Sequence, residues 1–221
     1  MRIGVLGTGM VGQAIAGKLV DAGHTVMIGS RTSNNERALA WVESTGPKAS
    51  QGTFADAARF GELIFNCTSG IVSLDALKMA SEANLNGKVL IDVANPLDSS
   101  GGMTVLAVCN TDSLAERIQK AFPKVRVIKT LNTMNVHVMV NPQVLPGDHT
   151  VFVSGNDPDA KSTAARILAD LGWKQENIID LGDITTARGT EMLLPVWLRL
   201  AAAIGHVKFN FHIVVGENSK Q

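Results

Sequence analysis

The sequence has few cysteines and no net charge, and each of these two features excludes certain classes of function. The 221 residues include two cysteines, Cys67 and Cys109, whose spacing fits neither a metal site nor a disulfide framework. Twenty basic and 20 acidic residues give a formal net charge of zero, which removes any overall electrostatic attraction to nucleic acid or to an anionic membrane. We therefore expect no bound metal and no nucleic-acid or membrane partner.

Long hydrophobic runs are also missing. The longest apolar segment, residues 192–204, is too short to span a bilayer and contains Arg199. The first residues have the pattern of a core strand rather than that of a signal peptide. A hydrophobic fraction of 45% with 18% charged residues is typical of a compact globular protein. The sequence therefore predicts a soluble, cytoplasmic protein.

The N-terminal segment predicts a nucleotide-binding βαβ unit. Residues 2–6 are an apolar run typical of a buried parallel strand, residues 13–22 continue a helical apolar pattern, and residues 25–28 form a second strand. Between the first strand and the helix lies a G-x-G-x-x-G segment, hereafter the glycine turn, which consists of Gly7, Thr8, Gly9, Met10, Val11 and Gly12. Such glycines permit a tight turn, close approach of a pyrophosphate to the backbone, and close helix packing. The alternative is that they serve as turn formers alone.

A carboxylate is absent where the second strand ends, and this absence bears on the cofactor. NAD-binding units usually place Asp or Glu there to accept hydrogen bonds from the adenosine ribose. Here Ser30, Arg31, Thr32 and Ser33 follow the strand, and the first carboxylate is that of Glu36. A guanidinium with hydroxyl donors suits a dianionic 2′-phosphate, which a carboxylate would repel. The sequence therefore favours NADP(H) over NAD(H); the alternative is an ordinary solvated loop.

Strand and helix patterns alternate along the chain as far as residue 182. Further strands are predicted at 50–53, 63–67, 89–93, 125–129, 151–153 and 178–180, and helices at 34–43, 54–58, 72–83, 111–122 and 158–171. This alternation predicts an α/β fold in which a doubly wound, mostly parallel Rossmann sheet occupies residues 1–182 as an NADP-binding domain.

Residues 183–221 are predicted to be a short C-terminal appendage that packs on the same domain. Residues 185–204 have the pattern of an apolar helix, kinked or split at Pro195, and residues 207–213 alternate like a half-exposed strand. Three roles are open for this appendage: it covers the cofactor ring, forms a homodimer interface, or closes the core of its own domain.

Several turns are expected to share one rim, because ligands of open α/β sheets bind at the carboxyl ends of the strands. The glycine turn, residues 66–70, residues 94–97 and residues 130–136 all follow strands. Their candidate contacts to the ribose and nicotinamide are Cys67, Thr68, Ser69, Asn95, Asn132, Thr133, Met134, Asn135 and Val136. Residues 99–102 form either a lid near this rim or a simple surface linker.

No catalytic residue is assigned from the sequence. Hydride transfer between two flat rings requires the protein to stack the rings and exclude water, and it needs neither a nucleophile nor a metal. His137 either donates a proton, contacts an anion, or is a polar packing residue. Cys67 is by default a structural thiol rather than a redox centre.

The chain resembles the NADP oxidoreductases that use the deazaflavin coenzyme F-420. The resemblance lies in the glycine turn, residues 29–31, 129–133, 151–157 and 180–183, and the helix that carries Arg188 and Glu191. It implies a lone Rossmann domain that passes a hydride between NADPH and F-420. It also implies pyrophosphate contacts from residues 8–11, 2′-phosphate contacts from Ser30 and Arg31 with Asn35 nearby, and nicotinamide contacts from residues 133–136.

The identity of the hydride acceptor stays open. Residues 67–70 read Cys-Thr-Ser-Gly, whereas archaeal members of the resembled family look like Thr-Ile-Pro-Trp there. The same module is similar to the NADPH-binding domain of metalloreductases that pass hydride to a flavin, so a flavin is an alternative acceptor. Two further alternatives are an NADPH-dependent reductase of a small imine or carbonyl, and a sensor that binds NADP(H) without turnover.

Overall fold

The fold is built on a mostly parallel sheet with the glycine turn at its centre. The computed structural model describes residues 1–102 and 104–216. In chain order the strands are β1 (Arg2–Leu6), β2 (Thr25–Ser30), β3 (Ala49–Thr53), β4 (Leu63–Asn66), β5 (Val89–Asp92), β6 (Leu97–Asp98), β7 (Val105–Leu106), β8 (Arg126–Thr130), β9 (Val151–Gly155) and β10 (Ile178–Asp180). Eight of them form one sheet in the order β3-β2-β1-β4-β5-β8-β9-β10, and β6 pairs with β7 as a separate hairpin. The predicted α/β Rossmann fold is thereby confirmed.

Helices cover both faces of this sheet. They are α1 (Met10–Asp21), α2 (Glu36–Thr45), α3 (Phe54–Phe60), α4 (Ser73–Ala80), α5 (Glu82–Leu85), α6 (Leu114–Ala121), α7 (Val136–Val140), α8 (Pro158–Asp170) and α9 (Ala187–Ile204). One buried cluster joins Ile3 and Val5 to α1, α2, α7 and α8, and the other joins Leu6 to α3, α4 and α6. Since alternate side chains of a strand point to opposite faces, β1 is apolar on both.

Polar side chains fix where several helices begin. Asp157 accepts a hydrogen bond from the Ala160 amide at 2.7 Å, and Pro158 occupies the first position of α8. Thr53 and Asp56 cap α3 reciprocally. These caps satisfy N–H groups that have no partner inside the helix. They fix the residue at which each helix begins after its preceding strand.

The strand β9 runs against its neighbour β8. The two pair antiparallel, with Lys129 opposite Ser154, whereas all other pairings in the large sheet are parallel. Since β10 is parallel to β9, both strands run opposite to the other six. Their carboxyl ends therefore lie at the edge of the sheet away from the rim predicted to bind the cofactor.

The structure corrects one helix prediction and narrows another. The helix predicted over residues 72–83 is interrupted at Ser81, whose φ of 72° breaks it into α4 and α5. The helix predicted to be kinked or split at Pro195 is not split, because it runs through that proline as the single helix α9; the kink stays a prediction. Loss of one backbone hydrogen bond at a proline does not end a helix whose apolar face is held by packing.

The half-exposed strand predicted at 207–213 is not formed. Phe209 instead stacks on Trp197 of α9, with ring centroids 5.2 Å apart. The Phe211 carbonyl accepts a hydrogen bond from the Thr150 amide at 2.8 Å, without a continued ladder. The alternation of apolar residues thus reflects packing against α9 rather than pairing in a sheet. The boundary at residue 182 stays a prediction, and residues 217–221 of the appendage lie outside the described residues.

Candidate dinucleotide site

The glycine turn joins β1 to α1 in a conformation that side chains would obstruct. Gly7 has a φ of +119°, and a Cβ there would stand 2.7 Å from the Cys67 carbonyl oxygen. A Cβ on Gly12 would overlap the Gly7 carbonyl oxygen. The Gly7 amide donates to the Gly29 carbonyl at 2.9 Å and ties the turn to the end of β2. The turn is therefore packed against the ends of both strands that flank β1.

The N-terminus of α1 is open towards solvent. Nothing among the described residues lies within 4 Å of a Cβ built on Gly9, and no side chain caps the helix there. The first turn of α1 carries no acidic residue, and Gln13 Nε2 holds the loop by donating to the Thr8 carbonyl at 2.9 Å. Unpaired N–H groups and the positive end of the helix dipole thus face an open space, as an anion site requires.

Two connected depressions adjoin this helix end. One, of about 490 Å³, extends from the glycine turn between Arg31 and the first residues of α4, and includes Cys67, Thr68 and Ser69 in its lining. The other, of about 460 Å³, is lined by Ser30, Arg31, Thr32 and Asn35 as well as by Gly7 and Thr8. The predicted contacts of the pyrophosphate and of the 2′-phosphate therefore border one continuous cleft.

The residues predicted to contact the 2′-phosphate differ in whether their polar groups are available to a ligand. Arg31 is exposed and has no carboxylate within 4 Å in the described part of the chain. The buried Ser30 hydroxyl donates to the Thr32 carbonyl at 2.5 Å. Asn35 caps α2 by accepting from the Ala38 amide at 3.1 Å. The guanidinium is thus available to an anion, whereas the other two side chains shape the loop that presents it.

Two of the residues predicted to contact the nicotinamide, Asn95 and Asn132, meet at the carboxyl ends of β5 and β8. Asn95 Nδ2 donates to the Asn132 carbonyl at 2.7 Å, and Asn132 Nδ2 donates to Asn95 Oδ1 at 3.0 Å. Thr133, Met134 and Val136 are buried behind this amide pair. The rim predicted from strand ends thus brings residues 95 and 132 into direct contact.

Other predicted side chains serve the local structure. Asn135 caps α7 through its side-chain oxygen, which accepts from the His137 amide at 3.1 Å, and the His137 side chain is exposed. Burial, together with the Asp92 carboxylate, raises the pKa of the Cys67 thiol far above its ordinary range. The thiol therefore stays protonated at neutral pH and is a poor nucleophile. Residues 99–102 connect β6 to β7 and are exposed; Met103 lies outside the described residues.

Sequence reasoning missed a group of buried charges beneath the rim. Lys129 Nζ lies 2.8 Å from Asp92 Oδ2 and 2.8 Å from Glu191 Oε1, and the three side chains are 0–1% exposed. Burial alone would lower the pKa of Lys129, but the two carboxylates outweigh it and raise the pKa. A signal was present in the sequence, because Asp92 follows three apolar residues in β5 and Lys129 follows two in β8.

Comparison with known proteins gives a consistent result. A family model described as NADP oxidoreductase, coenzyme F-420-dependent, matches residues 2–96. An F-420-dependent NADP reductase from Methanothermobacter marburgensis is 29% identical over 210 residues, which cover 90% of this chain and 92% of the relative. Rat metalloreductase STEAP3 is 27% identical over 202 residues; the match covers 89% of this chain but 38% of the metalloreductase.

A solved structure extends the match to nearly the whole chain. It comes from Arthrobacter sp. FB24 and carries a provisional assignment as an F-420-dependent NADP reductase. It is 51% identical, has a TM-score of 0.92, and the match covers 97% of this chain and 100% of the other. Within the described helices, none has the length and apolar character needed to cross a membrane. The protein belongs to the coenzyme F-420-dependent NADP oxidoreductase family, a family of NADP-dependent oxidoreductases.

Proposed function

We propose that the protein transfers a hydride between NADPH and the deazaflavin ring of coenzyme F-420, or alternatively a flavin ring. The observation that carries the proposal is the cleft itself. There the uncapped N-terminus of α1 borders the same space as Arg31, which pairs with no carboxylate among the described residues. A helix N-terminus suits a pyrophosphate, and an exposed guanidinium suits a 2′-phosphate. Family membership supports the choice of F-420 as the acceptor.

In this proposal the dinucleotide extends along the rim from β2 to β8. The glycine turn binds the pyrophosphate, Arg31 and Thr32 contact the 2′-phosphate, and Ser30 and Asn35 hold that loop. Residues 67–69 border the middle of the cofactor. Asn95, Asn132 and residues 133–136 shape the nicotinamide end, and the buried side chains behind them exclude water from one side.

This reaction requires little direct chemical participation by side chains. A hydride moves directly from NADPH to the acceptor ring, so the protein contributes through orientation and exclusion of water. Neither Cys67 nor His137 needs to act as an acid, base or nucleophile. A proton for the reduced acceptor can come from solvent, since the cleft is open.

An imine or carbonyl reductase is less well supported by the site. Such an enzyme needs a positioned acid near the substrate. The carboxylates of Asp92 and Glu191 are buried and paired with Lys129, so neither can reach a substrate in the cleft.

We also propose that the protein forms a homodimer through its C-terminal segment. Val196 on α9 is 50% exposed, and Val214 and Val215 are 83% and 78% exposed. Exposed aliphatic groups of this size on one segment favour burial against a partner.

The experiment that tests the reaction is anaerobic oxidation of NADPH, followed at 340 nm, with F-420, FMN and FAD offered separately. Rapid oxidation with F-420 alone is the expected result. Oxidation with a flavin alone would replace F-420 by the flavin as the acceptor. Binding of NADPH without oxidation by any of the three would contradict the proposal and leave a sensor or a small-molecule reductase.

A further inference from the structure

A chain of buried polar groups runs beneath the cofactor rim. It consists of Asn66, Asp92, Lys129 and Glu191, hereafter the rim network, and each of its members is at most 1% exposed. The four side chains come from β4, β5, β8 and α9. The network therefore connects every strand that ends at the ring side of the cleft to the C-terminal helix.

Lys129 is the centre of this network, and its ammonium group has three acceptors. They are Asp92 Oδ2 at 2.8 Å, Glu191 Oε1 at 2.8 Å and the Ala94 carbonyl at 2.5 Å. All three N–H bonds are thus used, which fixes the direction of the side chain. Buried ion pairs often contribute no more stability than apolar residues of the same volume, so stability alone is a weak reason for this arrangement.

One arm of the network reaches the middle of the cleft. Asp92 Oδ1 accepts from Asn66 Nδ2 at 2.7 Å, and Asn66 Oδ1 accepts from the Thr68 hydroxyl at 2.7 Å. Thr68 lines the cleft beside the glycine turn. Because Asn66 and Asp92 are both buried, a shift of the Asp92 carboxylate is transmitted through Asn66 to Thr68.

The other arm reaches the ring side of the rim. Lys129 holds the Ala94 carbonyl, and the next residue, Asn95, forms the reciprocal amide pair with Asn132. Leu131, between Lys129 and Asn132, has a φ of 63° and is 1% exposed. A non-glycine residue rarely adopts this conformation, and it persists where the surrounding structure enforces it.

We propose that Lys129 is a positioning residue for hydride transfer, which acts by holding the Asn95–Asn132 pair in the shape that receives the nicotinamide. This inference rests on the proposed function. In the proposed function, the glycine turn and Arg31 bind the adenosine half of the dinucleotide. Neither contacts Lys129 in the described hydrogen bonds and ion pairs. Loss of Lys129 should therefore affect the two halves of the cofactor unequally.

The test uses Lys129→Met, Asn132→Ala and the double variant. Each single variant is expected to slow single-turnover hydride transfer by about tenfold or more, because small displacements of reacting rings are costly. Affinity for adenosine 2′,5′-bisphosphate should change by less than about twofold, since distant groups act independently. The double variant should be no slower than the slower single variant, because both changes act through one contact. Additive losses, or equal losses of rate and of bisphosphate affinity, would overturn the inference.

Arg188→Met is the matched control. Arg188 joins α9 to α6 through Glu116 at 2.8 Å, so its loss weakens the docking of the same helix without touching the rim. Its hydride-transfer rate should equal that of the unaltered protein. If Lys129→Met fails to fold because two carboxylates lose their cation, Asp92→Asn with Lys129→Met removes one of those charges and takes its place.

The fluorescence emission of bound NADPH provides a readout that needs no acceptor. The emission reports the surroundings of the nicotinamide, and it should shift in Lys129→Met and Asn132→Ala but not in Arg188→Met. If the unaltered protein transfers no hydride to F-420, FMN or FAD, the proposed function fails, and the emission still decides the role of Lys129. An unchanged emission in folded Lys129→Met would overturn that role.

Discussion

Arg31 is the residue whose replacement we expect to distinguish NADPH binding from NADH binding most directly. Its guanidinium is exposed at the cleft, where it can pair with a 2′-phosphate that NADPH has and NADH lacks. We expect Arg31→Ala to weaken NADPH binding by about 10- to 100-fold, as loss of a charge-assisted hydrogen bond does, and to leave NADH binding nearly unchanged. Titration of both dinucleotides measures this. Arg166→Ala, on the exposed side of α8, is the control, and equal losses for NADPH and NADH would refute the assignment.

Single residues also show which features can be predicted from the sequence and which cannot. The spacing of the glycine turn predicted its position and its packing, because only a few conformations connect a parallel strand to a helix so closely. The hydroxyl of Ser30 and the amide of Asn35 were predicted near a phosphate, but their hydrogen-bonding groups are used by Thr32 and Ala38. Which partner a side chain selects depends on its rotamer and on nearby backbone, and the sequence specifies neither.

The ion pair of Glu116 on α6 with Arg188 on α9, hereafter the junction, makes the free energy of unfolding depend on pH. The Arg188 hydrogen bonds hold the pKa of Glu116 below its ordinary value of 4.5. A lowered folded-state pKa stabilises the protein above the ordinary value, and the stabilisation is lost as pH falls through the folded-state pKa. When the pH is lowered from 6 to about 3.5, the free energy of unfolding should therefore decrease less in the Glu116→Gln variant than in the unaltered protein. Urea unfolding at both pH values measures the difference.

The control for that prediction is Asp75→Asn. Asp75 pairs with Lys78 in solvent, with both side chains at least 67% exposed, and such pairs contribute little. This variant should lose as much stability in acid as the unaltered protein does. An acid response of Glu116→Gln identical to that of the unaltered protein would show that the junction does not contribute.

Whole elements were predicted well where local patterns determine them. The strands around β1 and the capped helix α8 lie within a few residues of their predicted positions, since periodicity and capping act locally. The reversed direction of β9 could not be predicted, because an apolar run such as Val151 to Val153 has the same pattern in either direction. The break at Ser81 carries no glycine or proline that would have signalled it.

At the scale of the whole molecule, the exposed apolar face of the C-terminal segment predicts self-association. Val196→Glu should convert a homodimer into a monomer, because a buried unpaired carboxylate is strongly unfavourable in an interface. Sedimentation velocity measures the mass. Val144→Glu, at an exposed aliphatic residue outside α9 and the tail, should leave the mass unchanged. A monomeric unaltered protein would contradict the dimer.

The charges of the rim network were beyond sequence reasoning for a related reason. Asp92, Lys129 and Glu191 belong to three elements that are far apart in the chain, and no local pattern connects them. Their meeting depends on the order of strands in the sheet and on the docking of α9. A single sequence reveals such a group only as charged residues next to apolar ones in each element.

Glu191 follows its partners Leu114, Ala115 and Lys129 in the chain, and this order has a consequence for biosynthesis. Chains fold as they emerge, beginning at the N-terminus, so β1, the glycine turn and β2 can assemble while α9 is still being made. Until α9 docks, Lys129 faces one carboxylate instead of two, and the Leu114 and Ala115 amides lack the acceptor that Glu191 provides. The surroundings of Lys129 and the first turn of α6 therefore reach their final form only after α9 has been made and has docked.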